Sequence, residues 1–328
     1  MEKLIAQFPK NIADALEIAT NATLNSLKTK AFSNVVICGM GGSGIGGKLA
    51  AQWFYSSARV PIVVVNDYHV PSFVNSDTLV IASSYSGNTE ETLSAVNEAH
   101  LKKATIIGVC SGGELLKFCE INRYDVIKVP GGNPPRSMLA FSVIQLVRCL
   151  AVAGIIDRNA LTQIDQCRGL LNRELVNIKK QAQQIAELAY KKRLVIYAPT
   201  VLEAVAVRGR QQINENAKQL CWHHSIPEMN HNELVGWESG HEDYAVLFLS
   251  SQYLNDRNKK RFVLNECQLA QKTPHIYKLE AKGKSIIEES FYLIHVLDWA
   301  SVILAGKNNV DPVEVNVIED LKKQLVKA

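Results

Sequence analysis

Two short segments, each set between an apolar run and a helical pattern, carry the residue types that close around an anion. The first is Cys38-Gly39-Met40-Gly41-Gly42-Ser43-Gly44-Ile45-Gly46-Gly47, preceded by Asn34-Val35-Val36-Ile37. The second is Ser83-Ser84-Tyr85-Ser86-Gly87-Asn88-Thr89-Glu90, preceded by Thr78-Leu79-Val80-Ile81-Ala82. Glycine lets backbone N–H groups turn inward, and the start of a helix adds partial positive charge. Small hydroxyls supply neutral donors around phosphate oxygens. One such turn is a weak signal. Two of them, about forty residues apart in one α/β unit, point to a phosphorylated small molecule.

A sheet must position these turns. The pattern predicts an opening helix over 9–29, then strands over 35–38, 61–66, 79–83, 105–109 and 126–129. Helices are expected over 46–55, 90–102 and 114–120, and a long apolar one from Ser137. Strands alternating with helices at short spacing give a parallel sheet covered on both faces. Residues 157–192 are polar, with Ile164, Leu171, Ile178 and Ile185 at helical spacing. The second half repeats the plan: a strand at 194–197, a helix from Thr200 through Lys218, a strand at 245–251, a helix at 255–272 and a strand at 276–279. A helix over 285–304, with Asp298 and Trp299, reads as core. The repeat is one of pattern and lacks both Gly-rich turns, so the anion site belongs to the first half and the second supplies chemistry. Two domains are expected, 1–156 and 157–328, the second including the linking helix and a C-terminal tail helix.

The bulk numbers fit a soluble α/β protein. The chain has 328 residues, 47% of them hydrophobic and 21% charged. A net charge of +4, not gathered into a basic tract, argues against a nucleic-acid partner. The seven cysteines form no CxxC pair and read as reduced thiols of a cytosolic protein. Residues 138–156 are mostly apolar, but Arg148 in their midst is costly in lipid, so a buried helix is expected and no membrane association. The N-terminus lacks the apolar run of a signal peptide. The expected location is therefore the cytoplasm.

Gly39-x-Gly41-x-x-Gly44 also satisfies the dinucleotide fingerprint, and Asp67 stands roughly where a ribose-binding acid would. An NAD-dependent dehydrogenase is thus a rival. Against it, the turn carries Ser43 and two further glycines, and the Ser84/Ser86/Thr89 turn would have no role. His223, His224, His231 and His241 fit neither HExxH nor a Cys/His zinc spacing, so no metal is assigned.

The pair GMGGSGIGG and SYSGNTEET, followed by Pro134-Pro135-Arg136-Ser137, resembles the sugar isomerase (SIS) fold. With Asn214-Glu215-Asn216-Ala217-Lys218, Pro227-Glu228-Met229-Asn230-His231-Asn232, Asp311-Pro312 and Leu321-Lys322, the chain is similar to the bifunctional phosphoglucose/phosphomannose isomerases. The resemblance spans nearly the whole chain. It implies two SIS subdomains, each a doubly wound, flavodoxin-like parallel sheet, and a homodimer with a shared active site. It also implies interconversion of glucose 6-phosphate or mannose 6-phosphate with fructose 6-phosphate, without a cofactor. Carried over by motif, Gly41, Gly42 and Ser43 lie beside the sugar, and Ser84, Ser86 and Thr89 bind its phosphate. Arg136 stabilises the intermediate, Glu215 is the base, His231 of the second subunit opens the ring, and Lys322 assists. Val313 stands where the family often has threonine.

These residue types suit aldose–ketose chemistry. One carboxylate can move a proton between C1 and C2 through a cis-enediolate, an arginine stays charged to stabilise it, and a histidine can serve ring opening. Each also has a plainer reading. Glu215 suits a surface pair with Lys218, Arg136 a position before a helix capped by Ser137, His231 a solvated turn, and Lys322 a solvated charge. Ser84, Ser86 and Thr89 suit a helix cap, and the Ser43 glycines close helix–strand packing. A sugar-phosphate sensor without catalysis, or a SIS isomerase of another phosphosugar, remains the alternative.

Overall fold

In the computed structural model of the chain, the described residues are 1–28, 30–240 and 242–325. Two compact units are present, each built on its own parallel sheet. The N-terminal unit comprises Ala6–Arg173 and Lys282–Tyr292. The C-terminal unit comprises Met1–Ile5, Glu174–Ala281 and the described residues from Leu293 onward.

The chain begins with helices α1 (Glu2–Ala6) and α2 (Phe8–Asn21). The N-terminal sheet then forms from β1 (Asn34–Cys38), β2 (Ile62–Val65), β3 (Thr78–Ser83), β4 (Thr105–Cys110) and β5 (Asp125–Lys128). Between these strands run α3 (Gly41–Trp53), α4 (Glu90–Leu101) and α5 (Gly113–Asn122), and α6 (Leu139–Val152) follows them. The order β2-β1-β3-β4-β5, all parallel, is the flavodoxin-like one, whereas a dinucleotide fold runs 3-2-1-4-5-6. Val35, Val36 and Ile37 of β1 and all of β3 are buried, as near-continuous apolar runs must be when helices cover both faces.

The long helix α7 (Asn159–Ala189) leads to the C-terminal sheet, of β6 (Arg193–Pro199), β7 (Cys221–Ile226), β8 (Tyr244–Ser250) and β9 (Ile276–Glu280). Helices α8 (Glu203–Ala217), α9 (Asp256–Leu269), α10 (Ile286–Lys307) and α11 (Asn316–Leu325) complete the chain. The strand order β7-β6-β8-β9 reproduces the first four positions of the other sheet, so the expected repetition of plan is present as topology. Inside this unit Arg208 of α8 and Asp298 of α10 form a buried ion pair at 3.0 Å, and Gln212 donates to the other carboxylate oxygen at 2.8 Å. Asp298, expected as plain core, is therefore a buried charge with two donors.

Three expectations are corrected. The opening helix stops at Asn21, where Ala22 turns extended, and only a 3-10 helix at Asn25–Leu27 follows. Asparagine and threonine at 21, 23 and 25 favour the helix weakly. (Thr29, the far end of that expected helix, lies outside the described residues.) Helix α3 reaches back through the glycine run to Gly41 instead of starting at 46. Strand β7 was not expected at all: an edge strand with half-buried Trp222, His223, His224 and Ser225 shows no apolar alternation.

Among the described residues no helix is long and apolar enough to cross a membrane. Six of the seven cysteines are buried, and burial pushes the Cys38, Cys149 and Cys221 thiols up to about 12.

Breaking the buried pair should be expensive, because it strands one desolvated charge. Asp298→Ala is expected to cost about 3–5 kcal/mol, and the paired replacement Arg208→Met with Asp298→Leu much less. Urea titration at unchanged m-value reads both. Equal costs for the single and double variants would contradict this ranking.

Candidate active site

The N-terminal unit brings three of the expected segments together. The glycine turn at the end of β1 continues into α3, with Met40 extended and Gly41 at φ +49°. A side chain at Gly41 would meet nothing within 4 Å, so this glycine serves its backbone conformation. Gly42 is different: a Cβ there would lie 3.0 Å from the Pro135 carbonyl oxygen. The first turn of α3 thus rests on the Pro134–Ser137 segment, whose Arg136 is buried within a 3-10 helix. The later glycines serve packing. A Cβ at Gly44 would meet the Gly39 carbonyl oxygen at 2.6 Å, and one at Gly47 would meet Ile37 at 2.9 Å. The packing reading of this run and its use as a turn are both realised, in different glycines.

The second turn is stitched to the first. Ser43, buried, accepts the Tyr85 N–H on its hydroxyl oxygen at 3.1 Å. The Tyr85 carbonyl accepts from the Ser111 N–H at 2.9 Å and the Ser111 hydroxyl at 2.8 Å, and its phenol oxygen accepts the Asn133 N–H at 3.2 Å. Tyr85 therefore joins four segments. It was not among the expected site residues, and its only sequence signal was its place between Ser84 and Ser86.

The hydroxyls do not act as simple caps. Thr89 is the N-cap of α4 without a side-chain cap bond; its hydroxyl instead pairs with that of Ser84 at 2.8 Å. Ser86, exposed, accepts the Asn88 N–H at 3.2 Å. Ser137 likewise caps no helix: its hydroxyl donates to the Pro134 carbonyl at 2.7 Å, and α6 begins after Met138. Gly87 holds the turn at φ +74°, with the position of a Cβ only 1.8 Å from the Gly112 carbonyl oxygen. Hydroxyls, helix-start N–H groups and a left-handed glycine make a neutral cradle suited to a phosphate dianion.

The remaining expected residues belong to the C-terminal unit. Glu215 is half-buried near the end of α8. Lys218, in the left-handed conformation that ends this helix, donates to the backbone carbonyls of Glu215, Asp311 and Glu314 at 2.7, 2.8 and 2.6 Å. The segment leading to the tail helix is thereby tied to the helix end that carries Glu215. His231 is exposed at the end of a 3-10 helix, Glu228–His231. Lys322 is exposed on α11, none of whose described residues is buried. Glu233 was not expected: its carboxylate gathers donors from Tyr197, Trp222 and His224. His241 lies outside the described residues. Among the described residues no three His, Cys, Asp or Glu side chains are grouped as metal ligands.

The fold and the paired turns define the class. The family described as SIS domain matches residues 30–119, and that described as bacterial phospho-glucose isomerase C-terminal SIS domain matches residues 178–325. The C-terminal domain of glucosamine-fructose-6-phosphate aminotransferase from Francisella tularensis superposes with a TM-score of 0.76 at 15% identity, covering 96% of this chain and 98% of its own, a likeness of fold. The relatives are more specific. The bifunctional phosphoglucose/phosphomannose isomerase of Thermoplasma acidophilum is 38% identical over 92% of each chain. That of Caldicellulosiruptor bescii is 33% identical over 99% of this chain and 98% of its own. This chain belongs to the bifunctional phosphoglucose/phosphomannose isomerase family.

Gly87→Ala is expected to displace the Ser86–Thr89 turn and to weaken binding of fructose 6-phosphate by more than about tenfold, since clash and positive φ both oppose it. Gly132→Ala is the control, because Gly132 has φ +90° but nothing within 4 Å of a Cβ. Calorimetric titration of both variants checks this; equal affinities would separate the turn from the anion.

Proposed function

We propose that this chain is a cytoplasmic, homodimeric aldose–ketose isomerase that interconverts glucose 6-phosphate and mannose 6-phosphate with fructose 6-phosphate. Membership of the family supports the reaction, and the Ser43–Tyr85 bond that fuses two donor-rich turns into one cradle carries the site. Ser84, Ser86 and Thr89 take the phosphate. Gly41, Gly42 and Ser43 lie beside the sugar, and Arg136, buried on the adjoining segment, stabilises the developing charge.

The steps follow from the chemistry. The cyclic hexose must open, which takes a proton from the C1 hydroxyl and gives one to the ring oxygen. His231 performs this, because imidazole can both accept and donate near neutrality. Glu215 then removes the C2 proton of the open aldose. The resulting cis-enediolate carries negative charge on its oxygens, which Arg136 stabilises as a permanent cation. Glu215 returns the proton to C1, while a hydroxyl proton passes between the two oxygens, and the ketose results. Glucose and mannose differ at C2, the carbon that becomes planar, so one enediolate serves both. Lys322 adds a second cation. Proton transfers alone balance the reaction.

The tail helix supports the dimer. Val317, Ile318, Leu321 and Leu325 are exposed on α11, a stripe that asks for another surface. In the proposed dimer each His231 serves the partner subunit's site.

Glu215→Gln is expected to lose at least about a thousandfold in turnover while KM for fructose 6-phosphate stays within a few-fold, the signature of a group needed only in the transition state. Ser86→Ala with Thr89→Ala is expected to do the reverse, raising KM strongly. Steady-state kinetics of the two proteins decide it; normal turnover in a folded Glu215→Gln protein removes the base from the mechanism.

A further inference from the structure

The exposed ring of His231 sits in a segment whose other side chains are fastened. Asn230 donates to Asn265 of α9 at 2.6 Å. Asn232 donates to Glu228 at 3.1 Å and accepts the Glu233 N–H on its side-chain oxygen. Among the described residues the His231 side chain has no hydrogen-bond partner, so its ring is presented while its neighbours are held.

The strongest of these fastenings is Glu233, two residues on. Its carboxylate accepts from the Tyr197 hydroxyl at 2.6 Å, from Trp222 Nε1 at 3.1 Å and from His224 Nδ1 at 2.7 Å. Trp222 and His224 stand two apart on β7, hence on one face of the sheet, and Tyr197 of β6 pairs with His224 in register. Three donors from two neighbouring strands thus converge on one anion, the kind of charge-assisted contact that fixes geometry. The Tyr197 hydroxyl also accepts from Trp237 Nε1 at 2.9 Å. The 3-10 helix Glu233–Trp237 is consequently pinned at its first and last residues to one buried tyrosine.

We propose that Glu233 is the positioning residue for His231, and that its clamp on Tyr197, Trp222 and His224 sets the height and angle at which the imidazole meets the sugar ring. This rests on the ring-opening role proposed for His231. Glu233 acts through the backbone of residues 231–233 and touches no reacting atom. A displacement of about 1 Å in a group that moves protons costs up to about a hundredfold in rate, so a clamp of this kind has a kinetic consequence.

Ring opening can be measured apart from isomerisation. Exchange between the α and β anomers of glucose 6-phosphate needs the ring to open and close but no proton transfer at carbon. Magnetisation-exchange NMR on the Glu215→Gln protein therefore reads the His231 step alone. Adding His231→Ala is expected to return exchange to its uncatalysed rate. Adding Glu233→Gln, which keeps the shape but removes the charge that gathers three donors, is expected to slow exchange by about tenfold or more with affinity for glucose 6-phosphate within about twofold. On top of His231→Ala, Glu233→Gln should change nothing further, since two residues acting through one step are not additive.

If His231→Ala leaves exchange intact, the ring-opening role fails and takes the inference with it. If His231→Ala abolishes exchange but Glu233→Gln does not alter it, the positioning role alone is overturned. Should Glu233→Gln melt well below its parent, Tyr197→Phe is measured instead. It removes one donor and leaves the carboxylate on Trp222 and His224, and a severalfold loss of exchange is expected; an unchanged rate overturns the proposal.

Discussion

The hydrogen bond from the Tyr85 N–H to the Ser43 hydroxyl is the constraint on which the N-terminal site depends. Each turn follows its own strand, and parallel pairing of β1 with β3 brings the two strand ends side by side. Pairing alone leaves the loops free to differ in height. The Ser43–Tyr85 bond removes that freedom, and the other contacts of Tyr85, to Ser111 and Asn133, carry the restraint to the loops after β4 and β5. The Gly42–Pro135 approach adds the segment that bears Arg136. A cradle of neutral donors has little Coulomb attraction of its own. In the phosphate-binding role proposed for it, affinity comes from donors already in place, so rigidity here serves binding.

The C-terminal unit meets a different demand with the same sheet order. Among its described residues the glycine-rich turns are not repeated; Glu215 lies near the end of α8, where β7 begins, and His231 follows the other end of β7. Lys218 is informative in this respect. Its ammonium donates to three backbone carbonyls, which organise the end of α8 and the 311–314 segment together.

What was legible in the chain was what local pattern determines. Fully buried parallel strands announce themselves as apolar runs, and β1, β3, β4, β6 and β8 were read that way. The two turns were legible because glycine and hydroxyl residues cluster only where the backbone is exceptional. Strand β7 was not, since a half-buried edge strand bearing Trp222, His223 and His224 has no period to read. The start of α3 was hidden because glycine opposes the helix by propensity and is kept there for close approach to Ile37 and Pro135. Tyr85 and Glu233 escaped for a further reason. Their partners lie up to 48 and 36 residues away in sequence, and a network of that range exists only once the sheet has formed.

The central claim is that one cradle and one base convert both aldoses through a common enediolate. A coupled assay on the purified protein, treated with a metal chelator and supplied with fructose 6-phosphate, tests it by following glucose 6-phosphate and mannose 6-phosphate separately. Formation of both at rates well above background is the expected result. Binding of fructose 6-phosphate with neither product formed would contradict the account, and leave the fold as a sugar-phosphate binder or an isomerase of another sugar.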